Sequence, residues 1–318
     1  MTLPPSEHFN GKTFFLPGGE TAGRLRDFLR WRLAHRGATW PEHVPLAPQA
    51  PPPTPTGDEV VATWIGHATF LLSTTRGNFL TDPVFSERAS PVSWAGPRRV
   101  HAPGVSFDAL PRIHTVLLSH DHYDHCDVAT LRRLVAAHDP LFIAPLRHRD
   151  LLEAARARHM VELDWWQSHV CTADTKITLT PTKHWSNRFG TPRNHRLWGG
   201  FFLHCGARRV WFAGDSGYDS ALFRSIRQRC GEPDLALIPI GAYEPRWFMA
   251  PMHMNPAEAV QTHLDVGSRR SVAMHWGTFQ LTEEGREEPP QALVAARASA
   301  GVAENSFHLV APGESIIA

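Results

Sequence analysis

The stretch at 119–125 reads Ser119-His120-Asp121-His122-Tyr123-Asp124-His125, and it constrains the fold more than any other part of the chain. An apolar run at 115–118 leads straight into it, so these side chains are expected where a buried strand leaves its sheet and the backbone is free to turn. His120 and His122, two positions apart, can converge there on one metal ion. Asp124 and His125 lie a turn further on and point elsewhere, which suits a second ion a few ångströms away, as in two-metal hydrolases. Four ligands split between two ions close neither, so distant strands must deliver the rest.

Three further apolar runs end in a candidate ligand. The run at 177–180 leads to His184, that at 210–213 to Asp215, and that at 272–274 to His275. In layered α/β folds such strand ends converge on one rim, where residues far apart in sequence share a site. Asp82 follows a strand-like run and precedes Pro83; it is read as a carboxylate that accepts the free ring N–H of a ligand histidine and fixes its tautomer. His67, in Gly66-His67-Ala68, is either a similar support or a buried structural histidine. His8, His35, His148 and His195 lack a strand-end context and are read as surface residues.

The remaining organisation follows from periodicity. Residues 22–36 place Leu25, Phe28, Leu29 and Leu33 at helical spacing among Arg24, Arg26, Arg30, Arg32 and Arg36, a basic amphipathic helix that either packs on the main domain or lies on anionic lipid. Residues 45–57 are proline-dense and are expected to run as an extended strap. From residue 58 strands alternate with helices, the pattern of a layered α/β domain. Strands are predicted at 60–65, 69–74, 78–81, 115–118, 141–144, 176–180, 197–205, 208–213, 235–240 and 271–274. Helices are predicted after an Asp127 cap, near 147–158, after Asn255-Pro256 with Glu258, and at 291–300. The division is thus a 1–57 extension and a 58–318 catalytic domain. With 32 Lys and Arg against 31 Asp and Glu, the formal charge of +1 implies no field for nucleic acid. Four cysteines without close pairing read as reduced thiols of a cytoplasmic chain, peripheral to membrane if it meets one. No signal peptide or bilayer-spanning run is visible. Nothing argues against a homodimer.

The ordered set of Asp82, His-x-His-x-Asp-His, His184, Asp215 and His275 resembles the metallo-β-lactamase superfamily. Several strings are similar to its N-acylphosphatidylethanolamine-hydrolysing phospholipase D family: WIGHAT at 64–69, TDP at 81–83, RASP at 88–91, DWW at 164–166, FAGD at 212–215, IPIGAYEPRWFM at 238–249 and HWGTF at 275–279. The likeness runs from about residue 58 onward. Animal members carry Asn at the position of Asp121 and Gln at that of Lys183, and the loops at 92–95 and 189–196 differ.

That resemblance implies a four-layer αββα sandwich and a phosphodiesterase with two Zn2+ per chain. It assigns His120, His122 and His184 to the first zinc, Asp124, His125 and His275 to the second, and Asp215 to a bridge between them. Imidazole and carboxylate ligands also suit iron or manganese. Asp124 and Asp215 are candidate catalytic residues. So is Arg188, just after His184, because guanidinium matches phosphate bidentately. Arg246 has a similar claim, unless it pairs with Glu244 or packs on Trp247. Trp94, Trp185, Trp247 and Phe248 are candidates for an acyl-chain groove. The expected substrate is a phospholipid of the N-acylphosphatidylethanolamine type, cleaved to phosphatidic acid and an N-acylethanolamine. A lactonase, or a hydrolase of sugar phosphates or other phosphodiesters, is the alternative on the same two metals. A di-iron redox protein and a silent membrane-binding module are alternatives of other classes.

Overall fold

Alternation along the strands decides which layer each side chain enters. In the computed structural model, which describes residues 6–18, 25–34, 37–46 and 52–318 (side chains of Leu25 and Arg32 excepted), the strands form two seven-stranded sheets. The first sheet holds β1 (Val61–Gly66), β2 (Thr69–Thr74), β3 (Gly77–Thr81), β4 (Thr115–Leu117), β5 (Leu141–Pro145) and β6 (His159–Leu163) in sequence order, with β14 (Ser315–Ile317) beside β1. The second runs β7 (Ser168–Thr172), β8 (Thr175–Thr180), β9 (Gly200–Cys205), β10 (Arg208–Phe212), β11 (Leu235–Pro239), β12 (Arg270–Met274) and β13 (Phe307–His308). Phe70, Leu72, Leu117 and Ile143 point into one cluster with Leu179, Phe201, Phe202 and Trp211 of the second sheet. Their neighbours Leu71, Val116, Leu118, Phe142 and Ala144 point the other way, onto Leu131, Leu134 and Leu152 of α2 (Val128–His138) and α3 (Arg149–Ala154). On the far side, Phe223 and Ile226 of α4 (Ser220–Cys230), Ala259 and Val260 of α6 (Pro256–Val266) and Leu293 of α7 (Glu288–Ala300) are buried with the second sheet. The architecture is the expected four-layer αββα sandwich.

Helix starts follow cap chemistry. The Asp127 side chain accepts the Ala129 N–H at the head of α2. Asn255 and Glu258 form a reciprocal capping box, both bonds 2.9 Å, with Pro256 in the first turn of α6.

Sheet polarity positions the site. β3, β4, β5 and β6 are mutually parallel, as are β10, β11, β12 and β13. β8 reaches β10 through two antiparallel pairings and so runs the same way. The C-terminal ends of β3, β4, β8, β10 and β12 therefore open on one rim.

The segment before β1 folds back on these layers. Phe9 and Phe14 are buried in the inter-sheet cluster. α1 (Leu25–Ala34) falls within the expected amphipathic helix, whose residues 22–24 and 35–36 lie outside the described residues, as do 47–51 of the proline-dense strap. Its inward residue is Trp31, stacked 5.5 Å from Phe248 of the short helix α5 (Arg246–Met249) and packed with Met249. Leu29 and Leu33 of the anticipated apolar stripe are 51% and 89% exposed.

Candidate metal centre and its cavity

The backbone turns sharply at the rim. His67, Asp82 and His275 take φ of 54°, 32° and 61°, left-handed values that cost a non-glycine residue energy and that turn each side chain out of its strand end. Gly241 lies against His275: a Cβ there would stand 2.1 Å from the His275 carbonyl oxygen, so only glycine lets the two backbones approach this closely.

Two groups of donors meet at this rim. His120 Nε2 and His184 Nε2 lie 2.9 and 3.3 Å from His122 Nδ1. His125 Nε2, His275 Nε2 and Asp124 Oδ2 are mutually 3.2–3.4 Å apart. A tetrahedral ion with bonds of about 2.0–2.1 Å holds its ligands about 3.3 Å apart, so both triads have the spacing of one metal's donors. Asp215 Oδ2 lies between them, 3.1 and 3.2 Å from His125 and His275 and 3.8 and 3.7 Å from His120 and His184.

Outer partners aim the lone pairs. His184 Nδ1 donates to the Met252 carbonyl at 2.9 Å, leaving Nε2 bare towards the centre. His125 Nδ1 donates to Asp82 Oδ2 at 2.7 Å. Asp82, wholly buried, also accepts the Ser119 N–H and hydroxyl. With its proton given to Asp82, the Ser119 oxygen accepts His120 Nδ1–H at 2.8 Å. His67 Nε2 donates to Asp124 Oδ2 at 2.9 Å. The orientations of His120, His125 and His184 are thus set by the hydroxyl, carboxylate and carbonyl oxygens that accept their outer N–H groups.

The charge balance calls for a cation. Burial opposes the charged forms of Asp124 and Asp215, yet the surrounding histidines hold both carboxyls well below the usual range. Burial likewise opposes protonation of His275 and His125, but Asp215 and Asp124 raise His275 to about 9 and hold His125 well above its ordinary value. Without a metal, protons must supply the missing positive charge. The imidazole and carboxylate donors of the two triads, with Asp215 between them, fit two divalent ions in chemistry and spacing.

Above the centre opens a cavity of about 720 Å³. His122, Asp124 and Asp215 form its floor, and Phe28, Trp31, Phe248, Met249, Met252 and Leu281 supply apolar wall. Trp185, edge-on to the His122 ring at 4.7 Å, also lines it.

Other candidates are placed elsewhere. The Arg246 guanidinium forms a two-pronged pair with Glu258, 2.9 and 2.7 Å, and donates to the His253 carbonyl, tying α5 to α6; it is no phosphate grip. Arg188 Nη1 is spent on the carbonyls of Asp121 and Cys126, and its guanidinium lies over Tyr123. Neither arginine is among the described lining residues, nor are Trp94, 79% exposed, and Trp247, 50% exposed and stacked by Arg30. The two arginines found local partners, and the two tryptophans are exposed, Trp247 beneath Arg30.

Three features escaped the sequence. His253 lines the cavity and groups with His184 and Asp215, its Nδ1 buried and unpartnered, and burial lowers its pKa to about 4. It stands just before the α6 cap, with no strand end to mark it. Asp121, between the ligands, takes the Asn187 N–H and a 2.9 Å ion pair from buried Arg196, which also pairs with Asp150. The ligand loop is thereby stitched to the loop at 186–196. His148, expected on the surface, is fully buried, donating to the Pro145 carbonyl.

The comparisons agree with this geometry. A family model described as the beta-lactamase superfamily domain matches residues 77–276. The chain is 39% identical over 242 residues to N-acyl-phosphatidylethanolamine-hydrolyzing phospholipase D 1 of Caenorhabditis elegans, covering 73% of this chain and 68% of that protein. The chain belongs to the N-acylphosphatidylethanolamine-hydrolysing phospholipase D family of the metallo-β-lactamase superfamily. Membership makes it a hydrolase. A second relative in this family, the mitochondrial N-acyl-phosphatidylethanolamine-hydrolyzing phospholipase D of Saccharomyces cerevisiae, is 33% identical over 239 residues, covering 74% of this chain and 51% of that protein. Among solved structures, Igni18, a metallo hydrolase of Ignicoccus hospitalis, superposes with a TM-score of 0.59 at 20% identity, over 81% of this chain and 98% of that one; it speaks for the fold alone.

Proposed function

We propose that the protein is a two-zinc phosphodiesterase of the phospholipase D type, acting on N-acylphosphatidylethanolamine-like lipids. The observation that supports this reading is the pair of donor triads with Asp215 Oδ2 between them at the floor of an apolar-walled cavity. In this reading His120, His122 and His184 hold one ion, Asp124, His125 and His275 the other, and Asp215 both. Zinc bound there supplies a water activated near neutral pH and a Lewis acid for a phosphoryl oxygen.

The chain's own residues do the rest. Asp82 keeps the proton on His125 Nδ1, and Met252 keeps that on His184 Nδ1, so both rings present Nε2 inward. His67 holds the Asp124 carboxylate in place. His253, kept neutral by burial, offers a ring N–H to the departing oxygen. The walls of Phe28, Trp31, Phe248 and Met249 take acyl chains and exclude water. Water attacks phosphorus, the P–O bond to the ethanolamine oxygen breaks, and that oxygen leaves with a proton as the N-acylethanolamine. Phosphatidic acid remains.

Residues 58–318 form the catalytic domain in this reading, and the 1–57 extension closes its cavity through Phe28 and Trp31. The exposed Leu29 and Leu33 on that helix support peripheral contact with a lipid surface. Among the described residues no helix is long and apolar enough to cross a membrane. The test is a lipid-by-lipid product assay by mass spectrometry on zinc-loaded protein. N-acylethanolamine and phosphatidic acid in equal amounts are expected. Turnover of lactones or soluble phosphoesters with none of lipid would replace this reading with the alternative on the same metals.

A further inference from the structure

One buried carboxylate ties the segments of the cavity wall to each other. Glu284, 5% exposed, accepts four hydrogen bonds. The N–H groups of Ala242 and Tyr243 reach its Oε1 at 2.5 and 3.3 Å, and the Glu244 N–H and the Thr282 hydroxyl reach its Oε2 at 3.1 and 2.7 Å. Three successive backbone donors are thereby clamped on one charged group, and hydrogen bonds to a charge are about twice as strong as neutral ones. None of the four goes to a residue of either triad.

Each segment that Glu284 holds carries part of the wall. Ala242 and Thr282 line the cavity themselves, as does Leu281. Residues 242–244 run directly into α5, whose Phe248 and Met249 also line it and pack on Trp31 of α1. Ala242 keeps a left-handed φ of 61°, which a non-glycine residue holds only under restraint, and the bond from its N–H to Glu284 supplies one. The backbone here closes a third side. The Glu284 carbonyl accepts the Trp40 indole N–H at 2.9 Å, and the Glu283 carbonyl accepts the Ala38 N–H at 2.9 Å, shortly after the end of α1.

We propose that Glu284 is the positioning residue of the acyl-chain wall: by fixing residues 242–244 against 281–282 it places α5, and so sets how much of an acyl chain the cavity can bury. The inference rests on the reading of the cavity as the lipid site. It adds to that reading the group that determines chain-length preference.

Isothermal titration of zinc-loaded full-length protein with N-hexanoylethanolamine and with N-dodecanoylethanolamine tests it. The wild type should bind the longer chain more tightly. Glu284→Gln should cut that ratio about tenfold, the worth of about two buried methylenes, while elemental analysis finds the zinc content unchanged. Glu284→Asp should fall between, since it keeps the charge but reaches fewer of the four donors; it also serves if the Gln variant misfolds. An unchanged ratio, whether both probes weaken equally or neither does, would overturn the proposal. So would loss of zinc, or a wild type blind to chain length. Wild-type turnover of N-acylphosphatidylethanolamine is scored separately. Absent turnover with a chain-length preference that depends on Glu284 would sink the phosphodiesterase reading and keep this one.

Discussion

Asp82→Ala isolates the support of one triad from the triad itself. The carboxylate is wholly buried and accepts three bonds, from His125 Nδ1, Ser119 N and Ser119 Oγ. Each donor stranded in a dry site costs about 1–3 kcal/mol. Part of that is returned, because burial already disfavours the Asp82 charge and raises its pKa despite those bonds. A net loss of about 2–4 kcal/mol of folding stability follows, measurable by urea denaturation of the metal-free protein. The effect on metal should be lopsided. His125 loses the acceptor that fixes its tautomer, whereas His120 is linked to Asp82 only through Ser119. Chelator competition should therefore show one of two zinc ions weakened about 10–100-fold and the other by less than about threefold. Equal weakening of both ions, or of neither, would refute the reasoning.

Other perturbations probe neighbouring links. Asp121→Ala leaves buried Arg196 with only the exposed Asp150 as counter-charge and should cost about 2–4 kcal/mol, read as a lower urea midpoint, with kcat/KM falling as the loop bearing Trp185 loosens. Gly241→Ala drives a Cβ into the His275 carbonyl and should lower the zinc content of purified protein towards one ion per chain by elemental analysis. Acid should destabilise the fold through buried neutral histidines that belong to neither triad. Burial lowers His101, His148 and His263 to about 4 each, so between about pH 6.5 and 4 the unfolded chain binds protons that the folded one refuses. The melting temperature should drop over that window, at up to about 1.4 kcal/mol per pH unit and histidine, and His148→Asn should flatten the drop.

What could be read from the sequence depended on whether a signal was local. The β4 run, the Asp127 cap and the Asn255–Glu258 box act within a few residues, and each formed where its pattern lay. The candidate ligands were legible because each stands just after an apolar run, four of them after the run at 115–118, while their division between two ions came from the family resemblance. β7 has an exposed and intermediate alternation with no apolar run, and α4 buries only Phe223 and Ile226 among its arginines, so neither announced itself. Partners chosen across the fold were invisible: Glu258 claims Arg246, Arg196 claims Asp121, and Trp31 turns inward because Phe248 waits there, although helical spacing favours Leu29 and Leu33. His253 belongs to the same class, its place being set by the turn that leads into α6.

The central claim is that two triads share one aspartate over two ions. Anomalous diffraction at the zinc edge on zinc-soaked crystals tests it most directly. The expected result is two peaks about 3.5–4 Å apart, one bonded by His120, His122 and His184, the other by Asp124, His125 and His275, with Asp215 touching both. A single peak, or one held by His184, Asp215 and His253 alone, would contradict it.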